Sequence, residues 1–401
     1  MLANWIAAKC HLCSRKQTGR SLLQKWTQQL SATAMPSILH ATLSRRPLPS
    51  ARPALSLISG TISSVSPGGR LVGQGGGKCG NHVFSRAFSA GRSEPPVTST
   101  ITTNDGHFSL PIHIHPSSNP PSPLPPLLLI NGWTGTASDW GGFVSLLTPK
   151  RDVITYDPRG LGHSTSLSDD APPQTIEMLA DDAQAVYSAY LSSSRSPLPP
   201  SIFGTSMGGM LALQLATKIP VSTLYLACTT LGRPPPDIEL PPVPSAFFKT
   251  FSTWTNSNSA SDQRVAAEFA ANLLGPTLAT SPHGRKLTAT LAERFIASRI
   301  EHGANGAASA INAQLNALRK FDGYSTAAAA EPSVNQFVTM TAPGDTVMPP
   351  SHSLEMHRHL SSLGGRAPLH FQPKNRNDVQ HGHFMHISSG REVADFINST
   401  G

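Results

Sequence analysis

The chain has 401 residues, 38% of them hydrophobic, with a formal net charge of +8 and a pI near 9.5. The charge is segregated: residues 1–93 hold 12 Lys or Arg and no Asp or Glu, while the remainder carries 19 basic and 23 acidic residues. A mildly acidic body lacks the basic face that nucleic-acid binding requires. Apolar runs such as Leu127–Ile130 fall far short of the ~18 residues of a membrane helix, so no membrane span and a soluble body are expected.

Residues 1–93 combine Arg and Lys with abundant Ser, Pro and Gly, the composition of an organelle transit peptide, and are read as a disordered basic segment. Trp5, Ile6, Leu12, Leu22, Leu23 and Trp26, interspersed with Lys9, Arg15, Lys16, Arg20 and Lys25, allow a basic amphipathic helix. Arg86-Ala-Phe-Ser89 resembles a mitochondrial processing site with cleavage after Phe88. The expected location is therefore mitochondrial, in the matrix, with plastid or cytoplasm as alternatives. Cys10-His-Leu-Cys13 has metal or redox spacing but no second pair, and is assigned no function.

Residues 94–401 are read as one domain. Val97–Thr103 and Phe108–Ile114, separated by Asn104-Asp-Gly106, form a hairpin, with Phe108, Leu110, Ile112 and Ile114 on one face. The Pro-rich run 116–126 is a surface loop. It leads into Pro126-Leu-Leu-Leu-Ile-Asn-Gly-Trp133, a continuous apolar run suited to a strand covered on both faces. After Asn131-Gly132 the backbone can bend so that the Trp133 N–H serves as an oxyanion donor; the alternative is a plain strand-end turn. The unit Asp152–Ser164 is a strand followed by a Gly-rich loop, in which Asp157 and Arg159 are assigned to fixing the loop, and Asp157 is not counted as catalytic. A helix over Thr175–Leu191 packs on the sheet, with Asp181 and Asp182 expected to solvate or cap it.

The most informative stretch is Ile202-Phe-Gly-Thr-Ser-Met-Gly-Gly-Met-Leu211, which contains G-x-S-x-G centred on Ser206. A buried strand precedes it and a buried helix, stopped by Pro220, follows. A sharp strand-to-helix turn holds such a serine in a strained conformation with its oxygen exposed. The helix N-terminus behind it offers unpaired N–H groups and a positive dipole end, so the Met207 N–H is the second candidate oxyanion donor. Ser206 is the candidate nucleophile. Val221–Thr229 is another strand and places Cys228 in the core, where thiols are usually inert.

Asn131-Gly-Trp133, Asp157-Pro-Arg-Gly-Leu-Gly-His-Ser164 and Gly204-Thr-Ser-Met-Gly208, in this order and spacing, resemble the α/β-hydrolase fold over about residues 97–399. The nearest likeness is to the esterase, lactonase and haloperoxidase-like branch, including 3-oxoadipate enol-lactonase-like enzymes. That family commonly has His-Gly where this chain has Asn131-Gly132. The resemblance implies an α/β fold with a mostly parallel central sheet, flanking helices and a helical lid after strand six, here at about 233–330. Helices are read over Arg264–Leu274, Leu287–Ile300 and Ala307–Leu318. Phe247, Phe248, Phe251 and Trp254 either line an apolar cleft beneath the lid or form its ordinary core.

Asn335–Thr341 is the next strand, and Asp345, just beyond its C-terminal end, is the candidate acid. A helix over Ser351–Leu363, a strand over Pro368–Gln372 and a final helix over Ser388–Ile397 follow. His383, in Gly382-His383, matches the family's base; His381 and His386 lack that context. Asp378 is nearer the histidines in sequence but lies in a polar insertion, and is the weaker acid.

The order Ser206, Asp345, His383 is the one expected for this fold. The resemblance thus implies a serine hydrolase cleaving an ester, thioester or lactone of a small to medium apolar acyl substrate, with no cofactor and no metal. Amide cleavage also stays open. Acyl transfer to another acceptor, cofactor-free perhydrolysis on the same triad, and a non-catalytic binding module are the alternatives. The oligomeric state is not legible.

Overall fold

A computed structural model describes residues 96–168, 172–193, 196, 198–242, 263–302, 304–374 and 380–401. The basic segment 1–93, the aromatic residues Phe247, Phe248, Phe251 and Trp254, and the alternative acid Asp378 lie outside the described residues.

Counting strands of three or more residues, the described chain has β1 (Val97–Thr102), β2 (Phe108–His115), β3 (Leu127–Ile130), β4 (Val153–Tyr156), β5 (Ser201–Thr205), β6 (Val221–Ala227), β7 (Val334–Met340) and β8 (Leu369–Phe371). A two-residue strand, Thr165–Ser166, also pairs with β2. The order across the sheet is β1-β2-β4-β3-β5-β6-β7-β8. β2 runs against both neighbours, and every pairing from β4 onward is parallel. This is the expected mostly parallel sheet, opened by the expected hairpin in the register Val97↔Ile114 to Thr102↔Ser109.

Two layers of helices cover the sheet, and strand alternation decides which residue meets which layer. Leu128, Ile130, Ile154, Ile202, Leu224 and Leu226 pack with helices α2 (Ile176–Ser193) and α3 (Met207–Ala216). Leu127, Leu129, Val153, Phe203, Tyr225 and Met340 face the opposite layer, made by α1 (Gly142–Leu147) and the C-terminal helix Gly390–Thr400. Burial on both faces is why β3 to β6 read as near-continuous apolar runs. Removing each such side chain from water contributes about 1.5–3 kcal/mol. Among the described residues, five α-helices stand between β6 and β7: α4 (Gln263–Leu274), α5 (Pro276–Thr280), α6 (Pro282–His302), α7 (Ala304–Leu318) and α8 (Gly323–Ala330). Helix Pro350–Ser362 follows β7.

Two expectations for the polar residues are corrected. Asp182 neither solvates nor caps α2: it is buried and receives the Arg159 guanidinium through Nε at 2.6 Å and Nη2 at 2.5 Å. Arg159 also reaches Asp105 at 2.8 Å, so it ties α2 to the hairpin turn rather than only fixing its own loop. Asp157 does fix its loop, accepting from the His163 and Ala137 N–H groups at 2.8 Å each. It thereby joins two of the loops that leave the sheet on the same edge. Asp181, by contrast, pairs with Lys218 at the surface.

Candidate active site

The parallel strands end level. Ile130 lies opposite Gly204, Thr205 opposite Ala227, and Ala227 opposite Met340. The next residues of each strand are therefore side by side at one edge: Asn131–Trp133, Ser206, Cys228 and the turn that carries Asp345. This is the carboxyl edge, where open α/β sheets collect ligand groups. The backbone carries strain at the same place. Among the described residues, the non-glycine positions with positive φ are Thr134 (70°), Ser206 (55°) and Cys228 (48°), and all three follow a strand end on this edge.

Ser206 has φ 55° and ψ −125°, the strained turn expected of an elbow, and its side chain is partly exposed while its neighbours on both sides are buried. The turn is held by the Ser206 N–H donating to Ala227 O at 2.9 Å and by the Thr229 hydroxyl donating to Ser206 O at 2.6 Å. Its glycines are required by space. A Cβ on Gly204 would lie 2.2 Å from Gly208 O, and one on Gly208 would lie 2.2 Å from Ile130 O. Met207 opens α3, so its N–H falls among the first-turn groups that have no intrahelical acceptor.

The structure brings the predicted acid and base together. His383 Nδ1 and Asp345 Oδ2 are 2.8 Å apart, with the two residues 3% and 5% exposed. Asp345 Oδ1 is occupied separately, accepting the Val347 and Met348 N–H groups at 2.8 Å each. The carboxylate is thus oriented by the backbone on one oxygen and orients the imidazole with the other. Among the described residues Ser206 Oγ makes no hydrogen bond, to His383 or any other group. The remaining histidines separate cleanly from the site. His381 Nδ1 contacts Ser388 Oγ at 3.1 Å. His386 is buried among Trp140, Phe143, Phe203 and Phe384, and burial, with the His383 charge secondary, pushes its pKa down to about 3.

The Trp133 loop passes alongside the elbow: a Cβ on Gly132 would be 3.0 Å from Ser206 Cβ. Asn131, which stands where the resembling family has His, donates from Nδ2 to Thr136 O at 2.7 Å and so braces the loop from within. Helix α7 braces it from outside, through Trp133 Nε1 to Ile311 O at 2.8 Å and Thr134 N–H to Gln314 Oε1 at 3.2 Å. Helix α4 performs a similar service for the acid and base loops. The Phe384 N–H donates to Leu273 O at 3.0 Å, and the Thr346 hydroxyl to Asn272 O at 3.1 Å. Trp133, Val347 and Phe384, at or within two residues of predicted site residues, join the apolar cluster of Val265, Phe269 and Leu273 from α4 and Ala292 from α6.

Two residues escaped the sequence reading. Cys228 is buried as expected, but its sulfur, an Asp345 oxygen and a His383 nitrogen all lie within 4.8 Å of one another. Burial, then the Asp345 charge and hydrogen bonding to it, push the thiol well above its usual range, which favours the protonated S–H. The trio has the donor types of a zinc site. Ligation would have to break the Asp345–His383 bond and ionise that thiol. The available signal was positional: Cys228 is the first residue beyond β6, level with Ser206. Gln314 carried no signal, being a lone polar residue on the inner side of a helix.

Comparison with known proteins agrees with this fold. A family model described as alpha/beta hydrolase fold matches residues 125–388. A pimeloyl-[acyl-carrier protein] methyl ester esterase of Photobacterium profundum is 32% identical over 94 residues, 23% of this chain and 32% of that protein. The chain spans less than half the length of the curated relatives it matches. Among solved structures, the enol-lactonase of Burkholderia xenovorans LB400 superposes with TM-score 0.53 at 16% identity, over 75% of this chain and 99% of that one. An esterase of Exiguobacterium antarcticum does so with TM-score 0.54 at 18% identity, over 76% and 98%. At these identities the structural likeness shows the fold alone.

Proposed function

This chain belongs to the α/β-hydrolase fold family, and from that premise we propose that it is a serine hydrolase acting on an ester, thioester or lactone of a small to medium apolar acyl group. The observation that carries the reading is the buried Asp345–His383 pair on the same strand-end edge as the strained Ser206. Asp345 Oδ2 accepts the Nδ1 proton, which leaves Nε2 as the base. His383 takes the proton from Ser206 as Oγ attacks the acyl carbon, and gives it to the leaving group. The Trp133 and Met207 amides receive the oxyanion, and water then releases the acyl group from Ser206. Helices α4 to α8 act as the lid, and the apolar side chains they set against Trp133, Val347 and Phe384 favour an apolar acyl chain.

The test is to mix the protein with p-nitrophenyl butyrate and follow p-nitrophenol release and intact mass together. The reading expects turnover and a butyryl adduct on Ser206, absent in Ser206→Ala. Release without an adduct, and equal in the variant, contradicts it. Residues 1–88 are proposed as a mitochondrial presequence, on their basic, acid-free composition and the Arg86–Ser89 site. N-terminal sequencing of the native protein should begin at about Ser89; an intact Met1 contradicts this.

A further inference from the structure

Helix α7 reaches the loop after β3 at two points one turn apart. Ile311 O accepts the Trp133 indole N–H at 2.8 Å, and Gln314 Oε1 accepts the Thr134 backbone N–H at 3.2 Å. Both ties act immediately after the Trp133 N–H, the proposed oxyanion donor, one on its own side chain and one on the next amide, that of Thr134 with φ 70°. The helix sits hard against the neighbouring loop as well, since a Cβ on Gly160 would lie 2.5 Å from Ala310 Cβ. Gln314 itself is 0% exposed and lines a small cavity with Asn131, Met207 and Leu211, directly behind the elbow.

The chemistry of Gln314 is odd for a residue retained for stability. Among the described residues its Nε2 has no hydrogen-bond partner although it is fully buried. Burying an amide with one end unsatisfied is unfavourable, and an apolar side chain of similar volume would pack there without that cost. The one bond it does make restrains a strained backbone next to the proposed donor. Two oxyanion donors act only if they are aimed in advance, and a small misplacement is expensive in rate.

We infer that Gln314 is a positioning residue for the oxyanion loop: with Ile311 it clamps the Trp133–Thr134 backbone to helix α7, so that the aim of the Trp133 N–H is set by the helical insertion. The inference rests on the serine-hydrolase reading and adds a residue that never touches substrate. Gln314→Met keeps the volume and removes the acceptor; Gln314→Glu keeps an acceptor carbonyl, burial favouring its neutral acid form. Trp133→Phe removes the second tie and leaves the backbone donor in place.

The experiment measures p-nitrophenyl butyrate hydrolysis, inhibition by phenylboronic acid and thermal melting on the full chain, for wild type, these three variants and Ser206→Ala. Gln314→Met is expected to melt at or above the wild-type temperature, while kcat falls about 10- to 100-fold with KM within about twofold. The boronate, a tetrahedral adduct that uses the same donors, should weaken in parallel with kcat/KM. Gln314→Glu should recover most of the rate, and Trp133→Phe should lower kcat in the same sense. A Gln314→Met protein with wild-type kcat overturns the inference alone, as does one that melts far lower and loses rate only in proportion to folded protein. A wild type without Ser206-dependent turnover overturns the hydrolase reading and this inference with it.

Discussion

Replacing Asp345 by Asn separates the two jobs that its carboxylate performs. Oδ1 accepts the Val347 and Met348 amides, and Oδ2 faces His383 Nδ1 at 2.8 Å. The asparagine oxygen keeps the two backbone bonds, because only an acceptor fits there. Its NH2 is then forced to the Oδ2 position and donates to Nδ1. That drives the imidazole proton onto Nε2, the nitrogen the proposed mechanism uses as base, which can then no longer take the Ser206 proton. The lost orientation and imidazolium stabilisation are worth about 10⁴ in kcat in triads of this kind, or about 5.5 kcal/mol at ~1.4 kcal/mol per tenfold. The backbone contacts survive, so the fold should too. Steady-state hydrolysis of p-nitrophenyl butyrate beside a thermal melt measures both. A variant with more than a tenth of the wild-type kcat refutes the assignment of Asp345. Asp378→Asn, the alternative acid, should leave the rate unchanged.

Asp182→Ala should cost about 3–5 kcal/mol, because Arg159 and Asp182 are both buried and, among the described residues, the guanidinium would keep Asp105 alone as an acidic partner. That lowers the melting temperature on the order of 10 °C, and replacing both partners by apolar residues should restore much of it. Gly208→Ala puts a methyl group 2.2 Å from Ile130 O and 2.5 Å from Asn131 O, both backbone, so elbow and oxyanion loop must part. Activity should drop more than about 100-fold, with ~1–3 kcal/mol of stability lost, read by kinetics and urea titration. Asp105 is held down at about 2 because its bonds to Thr103, Arg159 and the His107 N–H outweigh partial burial, the largest single influence, which acts to raise it. Its folded pKa is below its unfolded one, so its stabilisation is complete above about pH 4 and lost as pH falls toward 2. Asp105→Asn should therefore destabilise at pH 5 and converge on wild type near pH 2.5 in urea titrations.

The sheet was legible because its strands are covered on both faces, so Leu127–Ile130 and Val221–Ala227 stand out as apolar runs between turn residues. Ser206 was legible because the elbow constrains sequence locally: Gly204 and Gly208 are needed for space, whatever the rest of the chain does. Asp345 and His383 could be placed at their strand end and loop, but their 2.8 Å contact spans 38 residues and is a product of the whole sheet. Arg159 illustrates the opposite case. Its nearest acid in sequence is Asp157, yet its partners are Asp182 and Asp105, because the loop glycines turn Asp157 toward backbone N–H groups. Helix α1, six residues opening at Gly142, was too short to carry a period. Gln314 had no sequence signal, since a single polar residue on a buried helix face gains meaning only from the Thr134 N–H opposite it.

The central claim is that Ser206, His383 and the two backbone donors form one working nucleophile. Labelling by a fluorophosphonate probe needs all of them together and does not require the natural substrate. The purified protein should take up one equivalent of probe, located at Ser206 by peptide mass spectrometry. Ser206→Ala should abolish the labelling and His383→Ala reduce its rate by orders of magnitude, with both variants folded. A folded wild type that does not react, or that reacts equally well in the Ser206→Ala form, contradicts the account.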